Sequence, residues 1–562
     1  MFNTLTRMGA SGAGGDYEIE KSLRFNSTDS AYLDRDFAST PSSQSLRTIS
    51  YWIKRSTLGT NQMIIHGYTS SNVTDYHYLN GDVLKVYIDN STGASDEYTW
   101  TTNAVFRDIS AWYHVVVKYD LTESSQADRV KIYVNNVLQS VTSSGNGTTQ
   151  SRLLDNGTNV KIGNYFNNST YYDGYLAEFN CIDGQALNPS SFGETNEDTG
   201  QWIPKKYSGS YGNNGFYLNF SDNSGTTATT LGKDSSGNSE NFTPNNFSVA
   251  AGVTNDVFTD TPTNNFCTMN FIVPDSAKAG TLTNGNLVTG GSDHSLQKAT
   301  WHFGPNGITT GKWMWEINDV ASSGSDQFGK YAGITSNLTQ DAGEIASTAD
   351  KSWASTTTGF CKDYTATSST ATGTGSITSD NHESPGVMTF ALDLDAQTIK
   401  YYYNGTLLRT DSTIPDPAVT EFVPFAFTTN SGGSADWTVS HWNFGQRAFS
   451  HEQTDYKSLC TANLPDPTIA KSSEYFKAGI YAGDSSAQTF TDVGFQPDKI
   501  VVKVRDRADK PFVVVDSVRG INDGVDPGTP WIAYNSQNQE STQGGRVTAV
   551  SSTGFTIGTD SD

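Results

Sequence analysis

The chain has 562 residues, with 36 Lys+Arg against 59 Asp+Glu and a formal net charge of -23, a length that predicts about three to five domains. Charged residues at 17% and aromatics at 12% exclude a disordered acidic tail, and the acidic balance excludes the basic face that nucleic acid or an anionic membrane surface would need. Uncharged polar residues and 52 Gly fill the remainder while Leu, Lys, Glu and Met are scarce, a composition for short strands joined by polar turns and not for helices.

Residues 1–20 are Gly-rich and read as an arm, without the apolar core of about 7–15 residues that marks a secretory signal. No apolar run approaches the ~18 residues of a membrane-spanning helix, so membrane insertion is not expected. From Lys21 strand patterns recur: SLRFNSTDSAYL, LRTISYWIKRS, MIIHGY, DVLKVYID, AWYHVVVKYD, RVKIYVNNVLQS, NVKIGNYF and DGYLAEFNC. Each is short, rich in Val, Ile, Tyr and Trp, and bounded by Asn, Gly, Asp or Ser, which predicts one all-β sandwich over residues 21–205. Residues 206–265 hold one clear strand, GFYLNF, in a Gly/Asn/Ser/Thr-rich stretch and read as a connector packed loosely on its neighbours.

A second strand-rich block covers 266–462, with KWMWEIND, KYAGITS, VMTFALDLD, TIKYYYNGTLL, EFVPFAFTT and WTVSHWNFG. Asn404-Gly405 between two apolar runs predicts a tight hairpin. After the Pro-punctuated LPDPTI, residues 463–562 form a third β block in which KIVVKVRDR and PFVVVDSVRG pair. Its last apolar run, Gly554–Gly558, has no partner after it, so the block reads as incomplete, with an open edge or a chain that continues past Asp562. The fold class is therefore all-β: tandem antiparallel β-sandwiches plus a small C-terminal β domain.

The four cysteines, Cys181, Cys267, Cys361 and Cys460, are far apart and form no metal-type pair, so they read as free, buried thiols. None of the eight histidines forms an i,i+4 pair, which leaves zinc unsupported, and His114 reads as a strand residue. Glu316 and Asp319 are three apart, on opposite faces of a strand, and read as solvent-facing acids. Asp393 and Asp395 share a face but precede a turn, where Asp is common. Gly483-Asp484-Ser485 reads as a turn, not a nucleophile. No catalytic residue is expected. Sugar recognition needs an exposed aromatic beside polar loop groups. The candidates are Tyr76, His77 and Tyr78, Trp100, and Tyr171 and Tyr172 with Asp173. Calcium is the ion best matched by oxygen-rich loops, with Asp89, Asn90, Asp96, Glu97 and Asp173 as candidate ligands.

SLRFNSTDSAYL, TISYWIKRS, AWYHVVVKYD, VKIYVNNVLQS and DGYLAEFNCIDGQAL resemble, in order and spacing, the laminin-G-like or concanavalin-A-like jelly roll. That resemblance implies two antiparallel sheets with sugar or protein binding, often helped by calcium. GITTGKWMWEI, GKYAGIT, FALDLDAQTIKYYYNGTLL, FVPFAF and WNFGQRAF resemble the SPRY domain, a binding module without catalytic residues. The combination of a GASGAGG start, a jelly roll, DTPTNNFCTMN, a SPRY-like block, YKSLCTANLPDPTI and GFQPDKIVVKVRDR is similar to virion proteins of tailed phages, especially marine ones. It implies a tail fibre or adhesin, assembled in the host cytoplasm and resident on the virion. Such a protein would attach to other virion proteins through its N-terminal part, bind a host-surface glycan or protein, and act as a homo-oligomer, a trimer by analogy with fibres. A structural capsid decoration or tail-body protein and a polysaccharide depolymerase are the rival readings; the second requires two carboxylates flanking a groove.

Overall fold

The computed structural model describes residues 17–70, 73–90, 97–145, 150–197, 199–270, 281–290, 295–305, 307–319, 330–335, 352–356, 361–363, 386–412, 414, 416–418, 421–428, 440–465, 472–505, 512–520, 530–533, 540–541 and 546–559. The chain divides into two compact units, Met1–Thr195 with Trp202–Pro465, and Asn196–Gln201 with Asp466–Asp562.

The first unit opens with a jelly-roll sandwich. One sheet runs Val137–Leu138, Val130–Val134, Trp112–Asp120, Leu46–Arg55, Gly174–Asp183, Ser22–Phe25 and Val257–Phe258, and Phe216–Leu218 also pairs with Gly174–Asp183. The facing sheet runs Val141–Ser144, Glu97–Thr102, Val83–Asn90, Val73–Asn80, Gln62–Ser70, Asn159–Ile162, Tyr32–Asp36 and Thr243–Asn245. Strict alternation sorts the side chains between core and solvent. In VLKVYIDN, Leu84, Val86 and Ile88 enter the core, while Lys85 and Tyr87 between them stay half-buried on the other face.

Residues 206–265 are not a loose connector. Phe216, Leu218, Phe220, Leu231, Phe242, Phe247 and Val257 all belong to the core of this sandwich, and Thr243–Asn245 and Val257–Phe258 close one edge of each sheet. The Gly/Asn-rich spacing hid this because single aromatics separated by turns show no strand periodicity. The segment's end also locks the first sandwich to the next. Lys54 Nζ, fully buried, donates to Asp260 Oδ2 (2.8 Å), Asn265 Oδ1 (2.7 Å) and the Phe266 carbonyl (3.0 Å). Trp112 Nε1 donates to the other Asp260 oxygen (3.1 Å).

The second sandwich has a sheet of Met269–Asn270, Ser295–Ala299, Val423–Thr428, Lys330–Thr335, Ser352–Thr356 and Cys361–Asp363. Its other sheet runs Thr281–Thr283, Val288–Gly290, Ser440–Asn443, Lys312–Asp319, Gly386–Asp393, Thr398–Tyr403 and Thr406–Asp411, with Lys457–Ser458 parallel beside Lys312–Asp319. Asn404 and Gly405 both have positive φ (46° and 78°), the type I′ hairpin that Asn-Gly favours. Trp52, Trp112, Tyr175 and Phe258 of the first sandwich share one apolar cluster with Trp301, Trp313, Trp315 and Trp442 of the second. The two sandwiches thus form one body through a common core.

In the second unit Lys499–Val502, Val513–Asp516 and Ile532–Ala533 form one three-stranded sheet, and Gln488–Phe490, Gly554–Ile557 and Val547–Ser551 form another. Gly554–Ile557, expected as an unpartnered last strand, is the central one, paired on both sides with strands that precede it. Cys181, Cys267 and Cys460 are buried free thiols. The side chain of Cys361 lies outside the described residues.

Candidate functional site

The outward face of the second jelly-roll sheet carries a continuous row of aromatic and polar side chains. Strand register places Asp34 beside Lys161, then His66, Tyr76, Tyr87, Thr99 and Ser144 on successive strands, which in an antiparallel sheet lie about 4.8 Å apart. A flanking row runs Tyr78, Lys85, Thr101 and Thr142, and on the other side Tyr68, Thr74, Asp89 and Glu97. Pairing brings these residues from seven strands onto one surface because every second residue of YHY, KVYID and EYTWTT points the same way.

The rings stack mainly on one another. Tyr76 and Tyr87 lie parallel with centroids 4.4 Å apart and planes 7° apart, and the edge of Tyr78 meets Tyr76 at 5.3 Å. The loop after Asn159–Ile162 folds back over the sheet: Tyr165 stacks on His66 (4.5 Å) and Phe166 on Tyr68 (4.1 Å, 3°). Lys161 Nζ pins that loop by donating to Asn168 Oδ1 (2.7 Å) and the Phe166 carbonyl (3.2 Å). Asn168 takes φ 58°, a left-handed conformation to which Asn is suited. Burial, and to a smaller extent Lys161, pushes the His66 imidazole down to about 3, so it is neutral; its Nε2 lies 2.5 Å from Thr74 Oγ1. Burial and the carboxylates of Asp89 and Glu97 push the Tyr87 hydroxyl up, so it stays protonated and donates to Glu97.

The row ends in a step. Beyond Tyr87 the side chains shrink to Thr99, Thr101, Thr142 and Ser144, with Thr99 and Ser144 hydroxyls 2.7 Å apart. One face of the Tyr87 ring is covered by Tyr76, and the other borders this hydroxyl-lined shelf. Lys85, whose ammonium lies 5.7 Å from the Tyr78 ring centre, and Glu97 flank it. A half-buried ring wall, a hydroxyl floor, one cation and one anion make a surface for a flat polyhydroxylated ligand.

Of the residues singled out in the sequence, Tyr76 and Tyr78 lie on this face, but the flat face of Tyr76 is taken by Tyr87. Trp100 does not belong to the site: it is fully buried in the core, with Nε1 donating to the Gln126 carbonyl (2.9 Å). Tyr172 is likewise buried, its hydroxyl donating to the Lys54 carbonyl (2.9 Å) and its ring against Phe25 (5.8 Å). His77 is a core residue too, bonded to the Tyr119 hydroxyl. Tyr171 packs against Tyr32 (6.5 Å). Tyr87, Tyr68, Tyr165, Phe166, Thr99 and Thr101 were missed. Alternation of EYTWTT would have found the last two, since Tyr98 and Trp100 must face opposite to Thr99 and Thr101.

The described calcium candidates lie apart or are already engaged. Both Asp173 oxygens are engaged by Ser27, through its backbone N–H (2.7 Å) and hydroxyl (2.6 Å). Asp89 is nearly buried beside Thr74 and Glu97, and Asp96 lies outside the described residues. Among the described residues no group of three or more His, Cys, Asp or Glu side chains is gathered for a metal. The side chain of Asn90 also lies outside the described residues, and the described candidates Asp89, Glu97 and Asp173 assemble no site by themselves.

Glu316, Asp393, Asp395 and Asp484 have structural roles, and the side chain of Asp319 lies outside the described residues. Glu316, expected at the surface, is fully buried; its carboxylate accepts the Ser450 and His451 backbone N–H groups (2.8 and 2.6 Å). Alternation puts it on the face opposite Trp315 and Ile317, and it is buried because the Ser450–His451 backbone covers that face. Asp393 accepts the Ala396 N–H (2.9 Å) and pairs with Lys312 (3.5 Å), and Asp395 accepts the Gly311 N–H (3.2 Å). Asp484 closes a turn on Ser486. His114 is a buried strand residue, its Nε2 2.8 Å from the Ser50 hydroxyl and its Nδ1 accepting from Trp202 Nε1 (2.9 Å).

Residues 25–191 match the family described as the concanavalin A-like lectin/glucanases superfamily, and residues 471–562 match a family described as a domain of unknown function, DUF7483. No curated protein matches the chain. Among solved structures the chain is similar to a heptameric SAP-like pentraxin from Limulus polyphemus, at 16% identity over 31% of this chain and 80% of that one, with TM-score 0.24. It is similar to a putative carbohydrate binding protein from Bacteroides ovatus at 17% identity, over 41% of this chain and 59% of that one, with TM-score 0.29. It is also similar to the SPRY domain of human HERC1 at 15% identity, over 28% of this chain and 87% of that one, with TM-score 0.21.

Proposed function

We propose that the jelly-roll domain binds a glycan on the outward face of its second sheet, at the step between Tyr87 and the Thr99/Ser144 shelf. The observation that carries this reading is the register row itself, which sets a tyrosine ring beside a floor of hydroxyls on neighbouring strands. A pyranose laid on that floor turns its C–H face to the Tyr87 ring and its hydroxyls to Thr99, Thr101 and Ser144, with Glu97 accepting and Lys85 donating at the margins. The match of residues 25–191 to a lectin-type superfamily supports it. This reading takes the chain to act by binding; the engagement of Glu316, Asp393, Asp395 and Asp484 in turns or buried hydrogen bonds supports it.

Within this reading the chain is a tail fibre or adhesin of a phage particle, attached through its N-terminal part and presenting its glycan site to a host surface. That assignment rests on the resemblance of its segment order to that of tailed-phage virion proteins. A homo-oligomer fits it, since several weak sites on one particle sum to strong adhesion. A glycan array probed with the full chain and with Tyr87→Ala tests the site. At least one glycan should bind, with affinity falling roughly tenfold in the variant, which corresponds to about 1.4 kcal/mol. Absence of any bound glycan, or equal binding by the variant, overturns the reading.

A further inference from the structure

The hydroxyl shelf is electrically lopsided. Lys85 and Tyr87 lie two residues apart on Val83–Asn90, on the same outward face and about 6.7 Å from one another along the strand. In register Lys85 sits between Tyr78 and Thr101, as Tyr87 sits between Tyr76 and Thr99. The floor therefore continues from Thr99 and Ser144 to Thr101 and Thr142, with the ring beside one row and the ammonium beside the next. The two acids of the face stand at the other end. Asp89 and Glu97 pair in register, four residues from Lys85 and Thr101 along their strands, or about 13 Å.

A lysine on an outer sheet face ordinarily serves solubility; the placement of Lys85 sets it apart. It is half-buried, with its ammonium 5.7 Å from the Tyr78 ring centre. Tyr78 meets Tyr76 edge-on and Tyr76 stacks on Tyr87, so one row of rings braces both the cation and the wall. Among the described residues no carboxylate pairs with Lys85. The nearest acid in the sequence, Asp82, is engaged by Arg55 (3.0 Å) and Arg107 (2.6 Å). Residues 71–72, 91–96 and 146–149 adjoin these strands in sequence and lie outside the description; their single charge is Asp96, next in sequence to Glu97. In a chain of net charge -23, such a cation beside a sugar platform is one that an anionic ligand completes.

We propose that the shelf selects a pyranose carrying one anionic substituent, a carboxylate or a sulfate ester, which Lys85 binds. This rests on the glycan reading above and adds the class of sugar to it. The ring lies against Tyr87 over Thr99, the anion reaches the Lys85 ammonium and the Thr101 hydroxyl, and neutral hydroxyls turn to Glu97. Asp89 and Glu97 repel an anion at their end, so the sugar binds in one orientation. For the same reason a polymer charged on every unit is a poorer ligand than one with an isolated anionic residue.

Ligand-observed NMR titration of the full chain tests this with methyl glycosides of glucose, galactose and mannose, each bearing a hydroxymethyl, a carboxylate or a sulfate ester at the C5 arm. At least one hexose should bind roughly tenfold tighter with the anion than without it at about 20 mM salt, and the preference should shrink at about 0.5 M. A gain for carboxylate or for sulfate supports the proposal, and the larger gain identifies the source of the charge. Lys85→Met should bring the ratio of anionic to neutral affinity near one, and Lys85→Arg should keep it. Tyr87→Ala should weaken both members and leave the ratio. Equal binding of neutral and anionic sugars that Tyr87→Ala still weakens overturns the proposal and leaves the glycan reading standing. A preference that survives Lys85→Met also overturns it, because the anion then lies elsewhere. Binding of none of these sugars overturns it as well, and the glycan array reports separately on the underlying reading.

Discussion

Lys54 offers the sharpest test of how the two sandwiches are joined. Its ammonium and the Asp260 carboxylate are both fully buried, 2.8 Å apart, and the cation also serves Asn265 Oδ1 and the Phe266 carbonyl. Lys54→Met keeps the aliphatic stem and removes the charge. Asp260 is then left with two neutral donors, Trp112 Nε1 and the Phe266 N–H (3.2 Å), in a fully buried site. Breaking a buried pair from one side costs about 3–5 kcal/mol, because the remaining charge is uncompensated. The expected result is a loss of about 4 kcal/mol for the fused sandwiches. Urea unfolding followed by tryptophan fluorescence and circular dichroism measures it, since Trp52 and Trp112 lie in the shared core. Adding Asp260→Asn removes the orphaned charge and should restore about half of the loss. A single variant that shifts stability by less than about 1 kcal/mol, or a double variant no better than the single, would show that this pair does not hold the sandwiches together.

Trp100→Ala should cost about 3–5 kcal/mol in stability by opening a cavity in the jelly-roll core, whereas Thr99→Ala should leave stability nearly unchanged and weaken glycan binding; the reverse pattern in unfolding and binding assays would invert the assignment of faces. Chelation by EDTA should leave glycan binding unchanged, and a loss restored by added calcium would contradict the ligand geometry of Asp89 and Asp173. Burial holds His66, His77 and His114 down at about 3, with Lys161 adding to the effect at His66 and Arg47 at His77. The unfolded chain therefore takes protons first as pH falls below the ordinary 6.5, and stability present above that value is lost between 6.5 and 3 at about 1.4 kcal/mol per pH unit for each histidine. Asp75 works in the opposite sense. Burial raises it to about 6 against the attraction of Arg47, so the folded state takes its proton first, and between about 6 and 3.8 it offsets roughly one histidine. His441, held down to about 4 by burial with Arg447 and Arg24, adds to the histidine loss, while burial of Glu178, Glu240 and Asp256 works with Asp75 against it. Urea midpoints should fall from pH 7 to 4, and His114→Gln should remove about one proton of the slope. A flat profile together with an unchanged slope in the variant would refute the buried neutral histidines.

What the sequence disclosed followed the strength of its periodicity. DVLKVYID and AWYHVVVKYD alternate over most of their length, and the jelly roll was legible from them. Most of the 206–265 segment was not, because Phe220, Phe242 and Phe247 reach the core singly from outside regular strands, and burial of isolated aromatics leaves no period to read. The shared core escaped for a related reason. Trp52 and Trp112 look like the outward residues of an exposed sheet until a second sandwich covers them, and no local pattern reports what lies on the far side of a strand. The site failed differently. Choosing aromatic residues one by one mixed the two faces of the same strands, taking Trp100 with Tyr76 although the register of Thr99 on Tyr87 and Tyr87 on Tyr76 places the tryptophan inside. Ring type cannot decide exposure in a sandwich; parity along the strand can, once one core residue per strand is fixed. The same parity argument locates the hydroxyl shelf, whose threonines and serine carry no compositional signal in a chain this rich in both and acquire meaning only as the neighbours of Tyr87.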